Sequence, residues 1–244
     1  MKDILLEVCV DDAEGLKAAV EGGADRIELC SALAVGGLTP SAGLMACAKP
    51  PPVPVYAMIR PRPGDFTFSP AELDIMRGDI DAARRAGLAG VVLGASRPDG
   101  RLDERMLVKL TGHAAGLGLT LHRAFDLVPD FAEAIGIAAE LGFERILTSG
   151  GAKSAPEAVD TLALLVELAA GRLSIMPGAG INPDTLDAIL PQLEVNEVHS
   201  SCSVSELANE RRVVDMGFGP PERRRTDAAM VRAMRERLSV LARL

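Results

Sequence analysis

Short apolar runs alternate with longer amphipathic ones along the chain, and many of the short runs end on a charged or polar side chain. Ile4-Leu5-Leu6 runs into Glu7, Leu119-Thr120-Leu121 into His122, and Arg145-Ile146-Leu147 leads to Ser149. The short runs have the length of strands and the longer ones the spacing of amphipathic helices. Strands are expected at Leu5 to Val10, Arg26 to Cys30, Val55 to Arg60, Gly90 to Gly94, Leu119 to Ala124, Arg145 to Ser149, Leu173 to Pro177 and Glu197 to Ser201. Asp11 and Asp12 cap a first helix through Val20, with Gly22-Gly23 as its stop. A loop of small residues, Ser31 to Pro40, precedes a short helix to about Ala48, which Pro50 to Pro54 breaks. Further helices are expected from Ser69-Pro70 to Ala86, Asp103 to Ala115, Phe131 to Leu141, Ala155 to Ala169, Asp184 to Leu190 and Asp227 to Leu241.

Strands alternating with helices imply right-handed crossovers and a parallel sheet. Eight such pairs in 244 residues favour one (β/α)8 TIM barrel, spanning 1–244, over an open doubly wound sheet. No GxGxxG follows the first strand, which counts against a dinucleotide fold. The segments 61–69 and 202–225 are the least regular. They follow strands three and eight, on the loop face where a barrel builds its active site. The polar site is therefore expected at the C-terminal strand ends.

Composition narrows the function. Hydrophobic residues make up 48% but aromatics only 3%, with no Trp, so aliphatic side chains must fill the core. A net charge of −8 argues against a general nucleic-acid binder. The basic cluster Arg223-Arg224-Arg225 reads as a loop cap or as partners for acids. There is no signal-peptide pattern at Met1-Lys2-Asp3-Ile4 and no bilayer-length apolar run, so a cytoplasmic protein without a membrane partner is expected. The four cysteines, Cys9, Cys30, Cys47 and Cys202, are then reduced thiols, and none forms a CxxC pair.

The first two strands echo one another: Leu6-Glu7-Val8-Cys9 matches Ile27-Glu28-Leu29-Cys30. Alternation puts each Glu on the same face as the Cys two residues on, and leaves Leu6, Val8, Ile27 and Leu29 for the outer helices. With strands roughly 4.8 Å apart, two inward thiols could share a soft monovalent metal. Cys in a tapering interior also serves as a small hydrophobe. Glu7 and Glu28, if buried, need partners such as Arg60 or a ligand.

Other strand ends offer more chemistry. Arg60 and Arg62 on the turn Arg60-Pro61-Arg62-Pro63-Gly64-Asp65 suit a carboxylate or phosphate; they could equally form salt bridges with Glu28 and Asp65. His122 could act as general acid or base, oriented by Asp126, or as a metal ligand. His199, with Ser200-Ser201-Cys202 after it, is a further candidate, whereas His113 lies on a helix surface. Ser149-Gly150 after strand six and Gly178-Ala179-Gly180 after strand seven could let backbone approach an anion.

Taken together, several of these segments resemble the CutC family, named for copper homeostasis. They are Arg26-Ile27-Glu28-Leu29-Cys30-Ser31, Gly36-Gly37-Leu38-Thr39-Pro40-Ser41, Met58-Ile59-Arg60-Pro61-Arg62, Leu121-His122-Arg123-Ala124-Phe125-Asp126, Arg145-Ile146-Leu147-Thr148-Ser149-Gly150-Gly151 and Glu197-Val198-His199. The resemblance covers nearly the whole chain in order. It implies a cytoplasmic TIM barrel, a role in copper homeostasis with Cu(I) binding, and a homo-oligomer, often a dimer. Two departures stand out: Pro63 where the family turn has Gly, and Ala179 where Gly is usual.

Two functions are thus expected to compete. One is Cu(I) binding by Cys9 and Cys30, with Cys202. The other is an enzyme of lyase, isomerase or epimerase type on a small anionic or sugar-like metabolite. Its catalytic candidates are Glu7, Glu28, Arg60, His122 and Asp126, and its anion-binding candidates Arg62, Ser149, Gly150, Gly178, Gly180 and His199. A scaffold without a small ligand would leave the buried charges unexplained.

Overall fold

The computed structural model describes residues 4–49, 53–208 and 210–242. The start Met1-Lys2-Asp3 and the prolines 50–52 lie outside the described residues. Eight parallel strands form a nearly closed barrel: β1 (Leu5–Val10), β2 (Arg26–Leu29), β3 (Val55–Met58), β4 (Gly90–Leu93), β5 (Gly118–Leu121), β6 (Arg145–Thr148), β7 (Ser174–Pro177) and β8 (Glu197–Ser200). The ladder runs β7-β6-β5-β4-β3-β2-β1-β8, and β7 and β8 lie side by side at the remaining seam. This is the (β/α)8 architecture that the alternation predicts.

The helices around it are α1 (Ala13–Gly22), α2 (Ala42–Cys47), α3 (Pro70–Arg85), α4 (Glu104–His113), α5 (Phe131–Glu140), α6 (Val159–Ala169) and α7 (Pro183–Ile189). Their starts follow the sequence signals. Asp12, Ser41, Ser69, Asp103, Asp130 and Asn182 each accept a backbone N–H of the first turn. Ser69 and Glu72 close a reciprocal capping box. The outward strand residues Leu6, Val8, Ile27, Leu29, Val91, Leu93 and Val198 join the helices in one apolar core that runs from Leu6 to Leu238.

Three local expectations change. The sixth helix does not run unbroken from Ala155. A tight 3-10 turn at Ala155–Glu157 is tied to the loop after β7 by Ala155 N donating to Ala179 O at 2.8 Å, and Ala158 is non-helical before α6 begins. Strand five stops at Leu121, because His122 accepts the Ala124 N–H and starts a 3-10 turn, Arg123–Leu127. The segment 202–225 is not irregular throughout. It holds an antiparallel hairpin, β9 (Ser203–Leu207) and β10 (Glu222–Thr226), with α8 (Arg211–Asp215) between them.

The hairpin leads into α9 (Ala228–Leu241), which packs between α1 and α7 as the eighth outer helix. Arg235 anchors it, donating to Asp25 Oδ2 at 2.5 Å and to Ile4 O at 3.1 Å. The basic cluster lies on β10, where Arg223 pairs with Glu206 at 2.8 Å.

Inside the barrel, Tyr56 of β3 fills space that Gly90 and Gly118 leave free; a Cβ at either position would overlap its ring. Gly118→Ala is expected to lower stability by about 1–3 kcal/mol. It should cost less in a Tyr56→Leu background, a coupling read from urea unfolding of the four chains. Equal costs in both backgrounds would mean that Gly118 makes room for something other than the ring.

Candidate functional site

Strand alternation puts Glu7, Cys9, Glu28 and Cys30 inside the barrel, but the shear of the sheet decides which of them meet. Glu7 is level with Arg26, and Cys9 with Glu28. On the other side Glu7 is level with His199. The echo between the first two strands is therefore offset by two residues. Cys9 faces Glu28 rather than Cys30.

The floor is a charged network that the sequence reading missed. The Arg26 guanidinium donates through Nε to Glu7 and through NH2 to Glu197 Oε2 at 2.5 Å. Arg145 Nε lies 3.2 Å from the same Glu197 oxygen. Both guanidinium groups stand over the Tyr56 ring, at 5.6 and 5.0 Å, while the Tyr56 hydroxyl donates to Glu144 at 2.8 Å. The available signal was parity: Arg26 lies two residues before Glu28, so it shares the inward face. Burial opposes charge on Glu7, but Arg26 and His199 outweigh it and hold the carboxyl down to about 2.

Glu7 also fixes the residue above it. His199 Nδ1 donates to Glu7 Oε1 at 2.8 Å, leaving Nε2 free to face Glu28 Oε2 at 3.8 Å. One ligand atom each from Cys9, Glu28 and His199 lie within 4.8 Å of one another, and all three residues are buried. A thiol, an imidazole and a carboxylate, with the imidazole backed by a second carboxylate, form a donor set for a borderline or soft metal. Burial, with Glu7 adding to it, pushes the Glu28 carboxyl up, and its Oε1 has no partner among the described residues. Burial works against the charged His199 ring, yet Cys9, Glu28 and Glu7 raise its pKa well above the usual histidine value.

Cys30 sits beside this cluster, its Sγ 3.5 Å from Glu28 Oε2, and burial raises its thiol pKa strongly. Cys202 is buried in the cavity wall at a left-handed φ of 43°, and burial pushes its thiol up to about 11. Neither belongs to the three-residue cluster, so the expected trio of thiols gives way to a mixed S, N, O set. The offset register is the reason for Cys30, while Cys202 lies in the connection between β8 and β9.

A cavity of about 780 Å³ stands over the cluster at the C-terminal strand ends. His122 and Arg60 line it, but not with the expected partners. His122 packs on Phe66, ring centroids 4.8 Å apart, and its other side lies where Gly94 has no Cβ. Its Nδ1 accepts from Ala124 N at 3.2 Å, and Nε2 has no partner among the described residues. Burial, then the nearby Arg60 charge, brings its pKa down to about 3. Arg60 does not pair with Glu28. It donates to the carbonyls of Val35, Gly37 and Gly64 at 3.0, 3.1 and 2.7 Å and stacks on Phe66.

Asp126 does not orient His122. It accepts from Thr148, from Ser149 and Gly151 backbone N–H groups, and from Arg123 Nε at 2.7 Å, tying the loop after β5 to the loop after β6. Ser149 is spent in the same knot, accepting from Arg123 at 2.6 Å. Arg62 lies outside the cavity wall, held by Glu72 at 2.5 Å and Asp65 at 3.0 Å, so the salt-bridge alternative describes it. Gly150 N donates to Thr148 Oγ1 and Gly178 N to Thr148 O, both at 2.9 Å. Only Gly180 of the three named glycines lines the cavity. Ala179 takes a φ of 66°, a left-handed conformation that favours glycine.

The fold and the mouth define a (β/α)8 barrel with a candidate metal centre under a metabolite-sized cavity. The chain belongs to the CutC family, whose model matches residues 4–204. The family protein CutC of Rhizobium meliloti is 74% identical over 242 residues, covering 99% of each chain. That of Agrobacterium fabrum is 57% identical, covering 98% of this chain and 96% of its own. A crystal structure of CutC from Streptococcus agalactiae, provisionally described as a copper homeostasis protein, superposes with a TM-score of 0.77 at 33% identity. That match covers 81% of this chain and 98% of the other. Thiamine phosphate pyrophosphorylase from Pyrococcus furiosus shares the fold alone, with a TM-score of 0.60 at 15% identity. No helix among the described residues is long and apolar enough to cross a membrane.

Removing Arg26 takes a guanidinium from two buried carboxylates, leaving Glu7 only His199 and Glu197 only Arg145 among the described residues. Arg26→Met is expected to cost about 3–5 kcal/mol, and adding Glu7→Gln and Glu197→Gln to recover part of it in urea unfolding. His122 gives a pH signature. Its folded value of about 3 lies below the unfolded 6.5, so the unfolded chain binds the extra proton between them. Stability should therefore fall as pH drops from 6.5 toward 3, and His122→Gln should flatten that part of the profile.

Proposed function

We propose that this chain serves copper homeostasis by holding one copper ion at Cys9, His199 and Glu28. The observation that carries the reading is the convergence of these three ligand atoms within 4.8 Å, with His199 oriented by Glu7. Thiolate and imidazole suit Cu(I), and Glu28 supplies a third donor and negative charge. The same set would also accept Zn(II), so the choice of copper rests on the family resemblance and on the relative from Streptococcus agalactiae. All four cysteines are free thiols, which fits a reducing, cytoplasmic setting.

A second reading, an enzyme of lyase, isomerase or epimerase type, is favoured by the cavity. About 780 Å³ is far more than one ion needs and is the size of a metabolite site. In that reading Glu28 and His122 are the acid–base pair. Glu7 and Asp126 are already committed, to Arg26 and His199 and to the loop knot respectively.

Anaerobic titration of Cu(I) against a chromophoric chelator tests the copper reading. One equivalent should bind tightly. Cys9→Ser and His199→Ala should each lose it, and Cys30→Ser should keep it. Binding indifferent to Cys9→Ser, or tight binding of Zn(II) alone, would overturn the assignment.

A further inference from the structure

The cavity holds donors that the metal reading does not use. His122 is the clearest. Its Nδ1 accepts the Ala124 N–H at 3.2 Å, so the neutral ring must carry its proton on Nε2. That Nε2–H is buried and has no acceptor among the described residues. A buried donor without an acceptor is costly, and the cost is removed when a ligand supplies one.

Arg60 adds a charge without a counter-ion. Its NH1 and NH2 groups meet only carbonyl oxygens, its Nε has no partner, and it makes no ion pair among the described residues. Arg224 is a third donor in the wall and comes from β10. It donates to Ser203 Oγ at 2.9 Å and Ser203 O at 3.1 Å, again without a carboxylate among the described residues. Of the acids in the wall, Asp126 is consumed by its loop knot, and Glu28 belongs to the metal cluster.

We propose that the cavity takes a small oxyanion, a carboxylate- or phosphate-bearing metabolite, whose oxygen accepts from His122 Nε2–H and whose charge Arg60 and Arg224 balance. The site needs no metal, so it goes beyond the copper reading. Arg224 lies outside the stretch that matches the family model, residues 4–204. The C-terminal hairpin thus sets part of the specificity of this chain.

The test uses the full chain, freed of metal by a chelator, with inorganic phosphate, pyruvate and neutral erythritol as probes. Calorimetry at low salt should show binding of one or both anions and not of erythritol. Phosphate favoured over pyruvate would identify a phosphorylated ligand, and the reverse a carboxylate. Arg224→Ala and His122→Gln should each weaken binding about tenfold. Long-range proton–nitrogen spectra of histidine-labelled chain should show Nε2 of His122 protonated and its proton moving when the anion is added, a readout that needs no variant. The proposal is overturned if neither anion binds at millimolar concentration, if erythritol binds as well, or if His122 carries its proton on Nδ1. Anion binding that ignores both variants would overturn it too. Because these titrations use the metal-free chain, a failure here leaves the separate copper titration, and the reading it tests, untouched.

Discussion

The Arg26 guanidinium stands between the carboxylates of Glu7 and Glu197 inside the barrel, and the rest of the site is built on that clamp. It joins β2 to β1 and β8 through side chains as well as through the ladder. A buried guanidinium bound by two carboxylates is tolerable only if its geometry is kept, so the clamp favours one register over slipped ones. The offset between β1 and β2 brings Cys9 level with Glu28. A slip by one residue would send Glu7 and Cys9 out among the helices and bring Leu6 and Val8 inside.

From the clamp the constraint travels upward by one hydrogen bond. Glu7 has two oxygens, one for Arg26 and one for His199 Nδ1. Because Arg26 keeps Glu7 ionised, the carboxylate accepts from Nδ1 and presents Nε2 to the mouth. Charge is thus balanced at the floor, where water is excluded, and left less balanced above. Glu28 Oε1 and His122 Nε2 are both without partners among the described residues. Orphaned polar atoms are rare in native interiors, and here they gather under a cavity.

Much of this was legible in the chain. Alternation gave the eight strands, the barrel, and the inward parity of Glu7, Cys9, Glu28 and Cys30. What alternation could not give was the shear between neighbouring strands, which only pairing defines; hence the expected pairing of Cys9 with Cys30. Arg26, Arg145 and Glu197 were passed over because they open strands, where a charge reads as a solvated edge. Here they point into the barrel, where their charges balance once Glu7 is counted. The hairpin was missed for a different reason. Glu222-Arg223-Arg224-Arg225-Thr226 has no apolar face, and its pairing with β9 is supported by charge, as in Arg223 with Glu206. The unusual roles of Gly94 and Gly118, which leave room for His122 and Tyr56, depend on partners far away in sequence.

The mouth divides into two electrostatic halves. Cys9, Glu28 and His199 suit a cation, whereas Arg60, His122 and Arg224 suit an oxyanion, and all six line one cavity. In a low-dielectric site each charge acts strongly on the other. A bound cation would favour the anion, and by linkage the anion must favour the cation by the same factor. The proposed copper site and the proposed anion site would then not be rivals for this barrel. An ion at the cluster would complete the field that an anion above it would meet. The C-terminal hairpin brings Arg224 to the wall and, through Thr226 Oγ1 at 3.5 Å from the Cys9 carbonyl, also reaches the metal half, so it would tune both.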